Sequence, residues 1–361
     1  MAVALALGCA RPGPAPRPEA PHTRAQPSAA PWPEADALFR RDPRWLGGDA
    51  AVSMALDAER VLWLFGDSFI AAAAQQPPAS RRGAAFVRNS VAVQRGLDPS
   101  DAELRFHWRT GVDGSPASFF PEQGDCWRWP GHGLLLDAAL TLFLMHVCPD
   151  AAKSAGLGFR VAGWTAVRVE NASAEPDTWQ LTPLPTPDTG ALNAVGAAVL
   201  LHGEHVYAYA VRDGSDHAVL LLRWTRAEFA RGDLMRPEYF GGAERGFGAG
   251  PPAVVFDGGA TELSISPWPS GGYAAVYSRG FGAAPIVARW AKELAGPFGP
   301  AQDVYLPEEA RRSGVLVYAG RAHPELSGAD VVLTYATNML DADALLDDLS
   351  LYFPRFVRLT L

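Results

Sequence analysis

The chain is poor in lysine, cysteine and charge. Of 361 residues, Lys153 and Lys292 are the only lysines, three are cysteines, and charged residues make up 19%. No long basic run occurs and the formal net charge is -8, so nucleic acid is not expected as a partner. No apolar stretch is long enough to span a bilayer as a helix. The eight histidines are scattered, without the close spacing of a zinc site. The glycine-rich "GGAERGFGAG" lies between strand-like runs rather than ahead of a helix, so it reads as a loop and not as a phosphate cradle. No serine nucleophile elbow is present. Neither a metal nor a cofactor is expected.

Apolar residues, glycine and proline are abundant. Hydrophobic residues reach 48%, with 36 Gly and 31 Pro. That composition can bury a sizeable core and favours many turns over long helices. The length suits one large domain or two ordinary ones.

The first residues, "MAVALALGCA", resemble the end of a bacterial lipoprotein signal, with Cys9 as the lipidated residue. Residues 10–36 are rich in Pro and Ala and read as an extended tether. The folded domain is then expected over 37–361, held off a membrane surface in the cell envelope as a monomer. Cys126 and Cys148 fall nearly opposite one another if the chain turns at Asp137-Ala138. A disulfide there suits an exported protein; two buried thiols are the alternative.

From about residue 45 one pattern recurs: an apolar run, a tight turn and a second alternating run. "GGDAAVSMAL-DAER-VLWLFGDS", "WPGHGLLL-DAA-LTLFLMHV", "NAVGAAVLL-HGE-HVYAYAVRD", "TELSISPW-PSGG-YAAVYSRG" and "AGRAHPELS-GA-DVVLTYATN" each read as a β-hairpin. Further strand-like runs follow each of them. Five hairpins with two more strands apiece predict an all-β, five-bladed β-propeller of four-stranded antiparallel blades around a central channel. A β-sandwich is the competing architecture. "ADALFRR" and "DADALLDDL" are the best helix candidates.

Folding each hairpin about its turn brings its open end to one rim of the channel. The first hairpin places Asp49 opposite Asp67 and Ser68. The second contributes Trp127, Trp129 and His146, and the third Asn193, Arg212 and Asp213. The fourth contributes Glu262, Ser278 and Arg279, and the fifth Arg321, His323 and Asn338. Carboxylates, indoles, imidazoles, amides and guanidinium groups together suit a sugar. Separated carboxylates suit glycoside hydrolysis, in which one protonates the leaving oxygen and another activates water or attacks carbon. Asp49, Asp67 and Glu262 are the candidate catalytic residues. Trp127, Trp129, His146, Asn193, Arg212, Arg279, His323 and Asn338 are the candidate substrate contacts. Each has a plainer reading: Gly-Asp at a strand end is often a turn, and Arg279 could simply pair with Glu262. A non-catalytic propeller that binds glycan or protein would use the same rim without the chemistry.

The segments "WLGGDAAVSMAL", "LWLFGDSFI" and "RNSVAV", with "AHPELSG", "VVLTYATN" and "YFPRFVRL" near the end, resemble a bacterial exported family of five-bladed propellers. That family is catalogued as domain of unknown function 4185, a group that includes the endo-D-arabinanases of glycoside hydrolase family 183. The resemblance implies a cell-envelope location and activity on furanosidic, D-arabinan-like polysaccharide, with Asp49 and Asp67 as an acidic pair near the centre. By analogy with broader propeller glycosidases, Asp49 or Asp67 would be the base or nucleophile and Glu262 the acid.

Overall fold

The strand "RVLWLF" over Arg60–Phe65 shows the principle of the fold. Side chains alternate across a strand. Val61, Trp63 and Phe65 join one apolar cluster, while Leu62 and Leu64 join another. A strand that is apolar on both faces needs a neighbour on each face. In the computed structural model, which describes residues 28–74, 78–150, 158–190, 192, 194–212 and 214–361, that demand is met five times over.

Five large antiparallel sheets follow one another along the chain. Sheet I comprises Val52–Ala55, Arg60–Phe65, Ser90–Arg95 and Glu103–His107. Sheet II comprises Trp127–Leu136, Ala139–Pro149, Phe159–Val169 and Leu181–Leu184. Sheet III comprises Ala194–His202, His205–Val211, Val219–Thr225, Glu238–Phe240 and Phe247–Gly248. Sheet IV comprises Ser264–Pro267, Tyr273–Ser278, Ile286–Ala291 and Gln302–Tyr305. Sheet V comprises Val315–Ala322, Val331–Met339, Arg355–Thr360 and Ser28–Pro31. An apolar core lies between each consecutive pair. Leu62 meets Leu142 between I and II, and Phe143 meets Trp224 between II and III. Tyr209 and Ile265 share the core between III and IV, and Val276 and Leu333 share the one between IV and V. A fifth core, with Trp63 against Val332 and Phe356, joins V back to I. The all-β, propeller-like architecture therefore closes on itself. A smaller sheet of Trp45–Gly48, Ser68–Ile70 and Ala85–Val87 stands beside sheet I.

Three expectations change. The folded domain does not begin at residue 37, because Ser28–Pro31 pairs with the last strand, Ser28 opposite Thr360 and Pro31 opposite Val357. Trp32 and Ala35 are buried with it. The N-terminal part of the Pro/Ala-rich segment, with Cys9 before it, lies outside the described residues, as do Asn193 and Asp213. In sheet V the inner strand is Val315–Ala322, not "AGRAHPELS", since Pro324 cannot donate to a ladder. Asn338 consequently faces Leu316, and Arg321 faces Thr334. Arg321 and His323 thereby move off the rim into the interior. "GGAERGFGAG" also carries a short strand, Phe247–Gly248, on the edge of sheet III.

The sheet II hairpin turns at Asp137 and Ala138, both with positive φ (50° and 71°). This is the two-residue turn whose twist matches paired strands. Its open end carries a disulfide between Cys126 and Cys148, 22 residues apart. Reduction is expected to cost roughly 3 kcal/mol in the chain-entropy model. Urea unfolding with and without reductant measures this, and coincident curves would mean that the strand ladder alone holds the hairpin.

Candidate active site

Asp49 and Asp67 meet where sheet I opens. The Asp49 amide donates to the Asp67 carbonyl (3.3 Å), and the Gly66 amide donates to the Asp49 carbonyl (3.1 Å). A Cβ on Gly66 would overlap Oδ1 of Asp49, so glycine precedes Asp67 because Asp49 occupies that space. The carboxylates then diverge to different partners. The Tyr318 hydroxyl donates to Asp49 Oδ2 at 2.7 Å, and Asn338 Nδ2 donates to the Tyr318 oxygen at 3.3 Å. Trp129 Nε1 donates to Asp67 Oδ1 at 2.9 Å, and Arg88 reaches Asp67 Oδ2 at 3.3 Å.

Burial is the main cause of the electrostatics. Burial and then the neighbouring charge of Asp67 push the Asp49 carboxyl well above its ordinary range; Glu262 adds to this, and the bond from Tyr318 opposes it. Burial also raises Asp67, to about 6, against the lowering effect of Trp129 and Arg88. The Asp67 pKa is 3.8 when unperturbed and about 6 in the fold, so across that window the folded protein binds more protons than the unfolded chain. The contribution of Asp67 to stability therefore falls as pH rises through the window. Such a cost is tolerated at sites selected for chemistry.

The two aspartates line a cleft of about 1360 Å³. Glu262 lines the same cleft from the start of sheet IV, its Oε2 accepting a 2.7 Å bond from the Thr261 hydroxyl. The cleft wall holds several non-glycine residues in the left-handed region: Ala50 (φ 68°), His217 (42°), Ala319 (52°) and Tyr352 (61°). Ala50 follows Asp49 and Ala319 follows Tyr318, so backbone strain borders the acid and its hydrogen-bond donor.

Several expected contacts are placed elsewhere. His323 is 0% exposed, held by Ser53 on one ring nitrogen and by Thr334 (2.7 Å) on the other. Burial keeps it neutral, well below its ordinary pKa, so it is an interior residue and not a sugar contact. Trp127 is 6% exposed in the core and supports Arg88, whose guanidinium sits 4.2 Å from its ring centre. His146 stands beside the disulfide, 3.5 Å from the Cys148 sulfur, and does not line the cleft. Its Nε2 or Nδ1 and the sulfurs of Cys126 and Cys148 lie within 4.8 Å of one another, but both sulfurs are already bonded. Arg212 pairs with Asp216 on the surface and is also outside the cleft. Arg279 lines the cleft but pairs with Asp303 at 2.7 Å, so it does not lock Glu262. Trp129 and Asn338 do line the cleft. Tyr318, Arg88 and Tyr352 were not expected; Arg88 and Tyr352 open the segments "RNSVAV" and "YFPRFVRL", and Tyr318 sits in an ordinary strand run with no motif around it.

Among curated proteins none matches the chain. Solved structures do. A proposed hydrolase from Bacteroides ovatus ATCC 8483 is 18% identical, with 94% of this chain and 93% of that chain covered and a TM-score of 0.72. It shares the fold. An α-L-arabinofuranosidase from Podospora anserina in complex with cellotriose is 10% identical, with 89% and 98% covered and a TM-score of 0.47. An α-L-arabinanase from Cellvibrio cellulosa is 11% identical, with 87% and 91% covered and a TM-score of 0.42. The family match corrects the resemblance to domain of unknown function 4185. Residues 34–360 match the model of a different family, and the chain belongs to it: domain of unknown function DUF5005.

Proposed function

We propose that the chain is a glycoside hydrolase on a five-bladed β-propeller, with Asp49, Asp67 and Glu262 as its working carboxylates. The blade reading is supported by five sheets with an apolar core between every consecutive pair. The enzymatic reading is carried by one arrangement: a buried carboxyl, pushed by burial and by Asp67 well above its ordinary range, lines the same cleft as a second acid, Glu262. Environments that drive like groups apart in pKa assign acid and base roles.

In this account Asp49 protonates the glycosidic oxygen as its bond to the anomeric carbon breaks. Glu262 takes a proton from the water that adds to that carbon. Asp67, held by Trp129 and Arg88, supplies the negative charge that keeps the proton on Asp49. The electrostatics thus favour the reverse of the role order taken from analogy, which made Glu262 the acid. The substrate is an oligosaccharide or polysaccharide, and furanosidic arabinan is the first to try. A lipid anchor at Cys9 and a cell-envelope location remain part of the proposal, in keeping with the disulfide.

Asp67→Asn tests the assignment. It keeps an acceptor for Trp129 but removes the charge beside Asp49, so the Asp49 pKa should fall. The alkaline limb of the kcat/KM profile should move down by about one pH unit. An unmoved alkaline limb would remove Asp49 as the proton donor.

A further inference from the structure

The cleft is uneven. On the side of sheets II to IV its wall mixes Arg160, His217, Thr261 and Arg279 with Pro130, Met145, Phe159 and Val161. Between sheet V and the small sheet beside sheet I, the wall carries Phe69, Phe86, Met339, Leu345 and Leu346, and Phe281 joins the lining from the connection between Ser278 and Ile286. Phe86 and Phe281 remain 47% and 52% exposed, so two large rings are held in solvent at the cleft. They are fixed in place. Phe86 packs on Phe69 (5.0 Å between centroids) and Phe281 on Tyr318 (4.9 Å). Leu345 and Tyr352 form an apolar cluster with Phe69, and Met339 and Leu346 pack against it.

Of the polar groups on this side, Tyr318 bonds Asp49 and Asn338 bonds Tyr318, while Tyr352 packs with Phe69 and Leu345. Beyond them the aliphatic side chains offer a sugar hydroxyl no partner. A hydroxyl-rich ring pressed against Met339, Leu345 and Leu346 would lose its bonds to water without replacement, at a cost of roughly 1–3 kcal/mol per group. An aromatic or aliphatic group would instead gain from burial.

We propose that this wall is the subsite for the leaving group whose oxygen Asp49 protonates as its bond to the anomeric carbon breaks, and that it takes an aromatic or aliphatic aglycone rather than another sugar. The idea rests on the glycosidase reading, because that reading makes Asp49 the point where sugar and leaving group divide. The substrate class is then a glycoside of an aryl or alkyl alcohol, or a glycan bearing such a substituent.

The test uses the full chain and measures binding and turnover separately. Matched methyl, phenyl and octyl glycosides of arabinofuranose, galactose and glucose are titrated by tryptophan fluorescence, since Trp129 lines the cleft. Phenyl and octyl members should bind about tenfold or more tighter than the methyl members. Phe86→Ser and Leu346→Ser, at exposed and half-buried positions, should remove the preference. Equal affinities overturn the subsite, as does a preference that survives both substitutions or no binding of any phenyl or octyl member. Binding preference without hydrolysis would leave the subsite standing and sink the glycosidase reading. Hydrolysis without the preference would do the opposite.

Discussion

Asp49→Asn is expected to lower the rate of hydrolysis by at least about a hundredfold, the usual size of acid–base catalysis, and to raise stability at neutral pH. Both effects follow from one fact. The Asp49 carboxyl is buried beside Asp67 and within the influence of Glu262, and all three circumstances oppose its ionisation. A group whose folded pKa is raised contributes most to stability at low pH, and that contribution is lost as pH rises through the folded value. Asparagine removes the titration while keeping an oxygen for the Tyr318 hydroxyl. The thermal midpoint of the variant should therefore exceed that of the parent at pH 7 and converge with it in acid. A rate loss together with a lower midpoint at pH 7 would point to damaged packing rather than to a lost proton donor.

Trp32→Ala is expected to cost about 3–5 kcal/mol of stability, the usual loss for a large aromatic cut from a core. Trp32 is almost fully buried and follows the N-terminal strand that completes sheet V. Its ring meets Phe356 edge-on at 6.4 Å, and Arg358 lies 4.3 Å from its centre. Its carbonyl accepts the amides of Ala35 and Asp36, and its own amide donates to Phe356. Phe39 continues the contact, stacking on Phe356 at 5.1 Å. A chain starting at residue 37 would keep the Phe39 stack but lose the strand and the Trp32 contacts, and expose the outer edge of the Arg355–Thr360 strand. Denaturant unfolding of the 28–361 and 37–361 chains measures the effect. Equal midpoints would show that the last sheet does not need its N-terminal strand.

The hairpins were legible because their signals are local. "RVLWLF" and "HVYAYAV" announce strands apolar on both faces, and the turns between runs carry Asp, Gly or Ser. The N-terminal strand was hidden because Ser28–Pro31 is short and proline-flanked, and its partner lies more than 300 residues away. Asp49 and Asp67 could be paired from the sequence since one hairpin holds both. Tyr318 could not be read in this way. It reaches Asp49 from sheet V across the ring, and nothing in "VLVYAG" marks a tyrosine that will bond an acid. His323 failed for the opposite reason. "AHPEL" looks like a polar strand end, but Pro324 stops the ladder and the imidazole turns inward to Ser53 and Thr334. Register decided this, and one residue of slip moves a side chain from a rim to an interior.

If the cleft hydrolyses a glycosidic bond through Asp49 and Glu262, the parent protein incubated with a panel of polysaccharides, arabinan first, should release sugars that Glu262→Gln does not. Oligosaccharide or monosaccharide release by the parent is expected on at least one substrate, falling by about a hundredfold or more in the variant while glycan binding persists. Release at the parental rate by Glu262→Gln, or a glycan bound in the cleft and never cut, would contradict that mechanism.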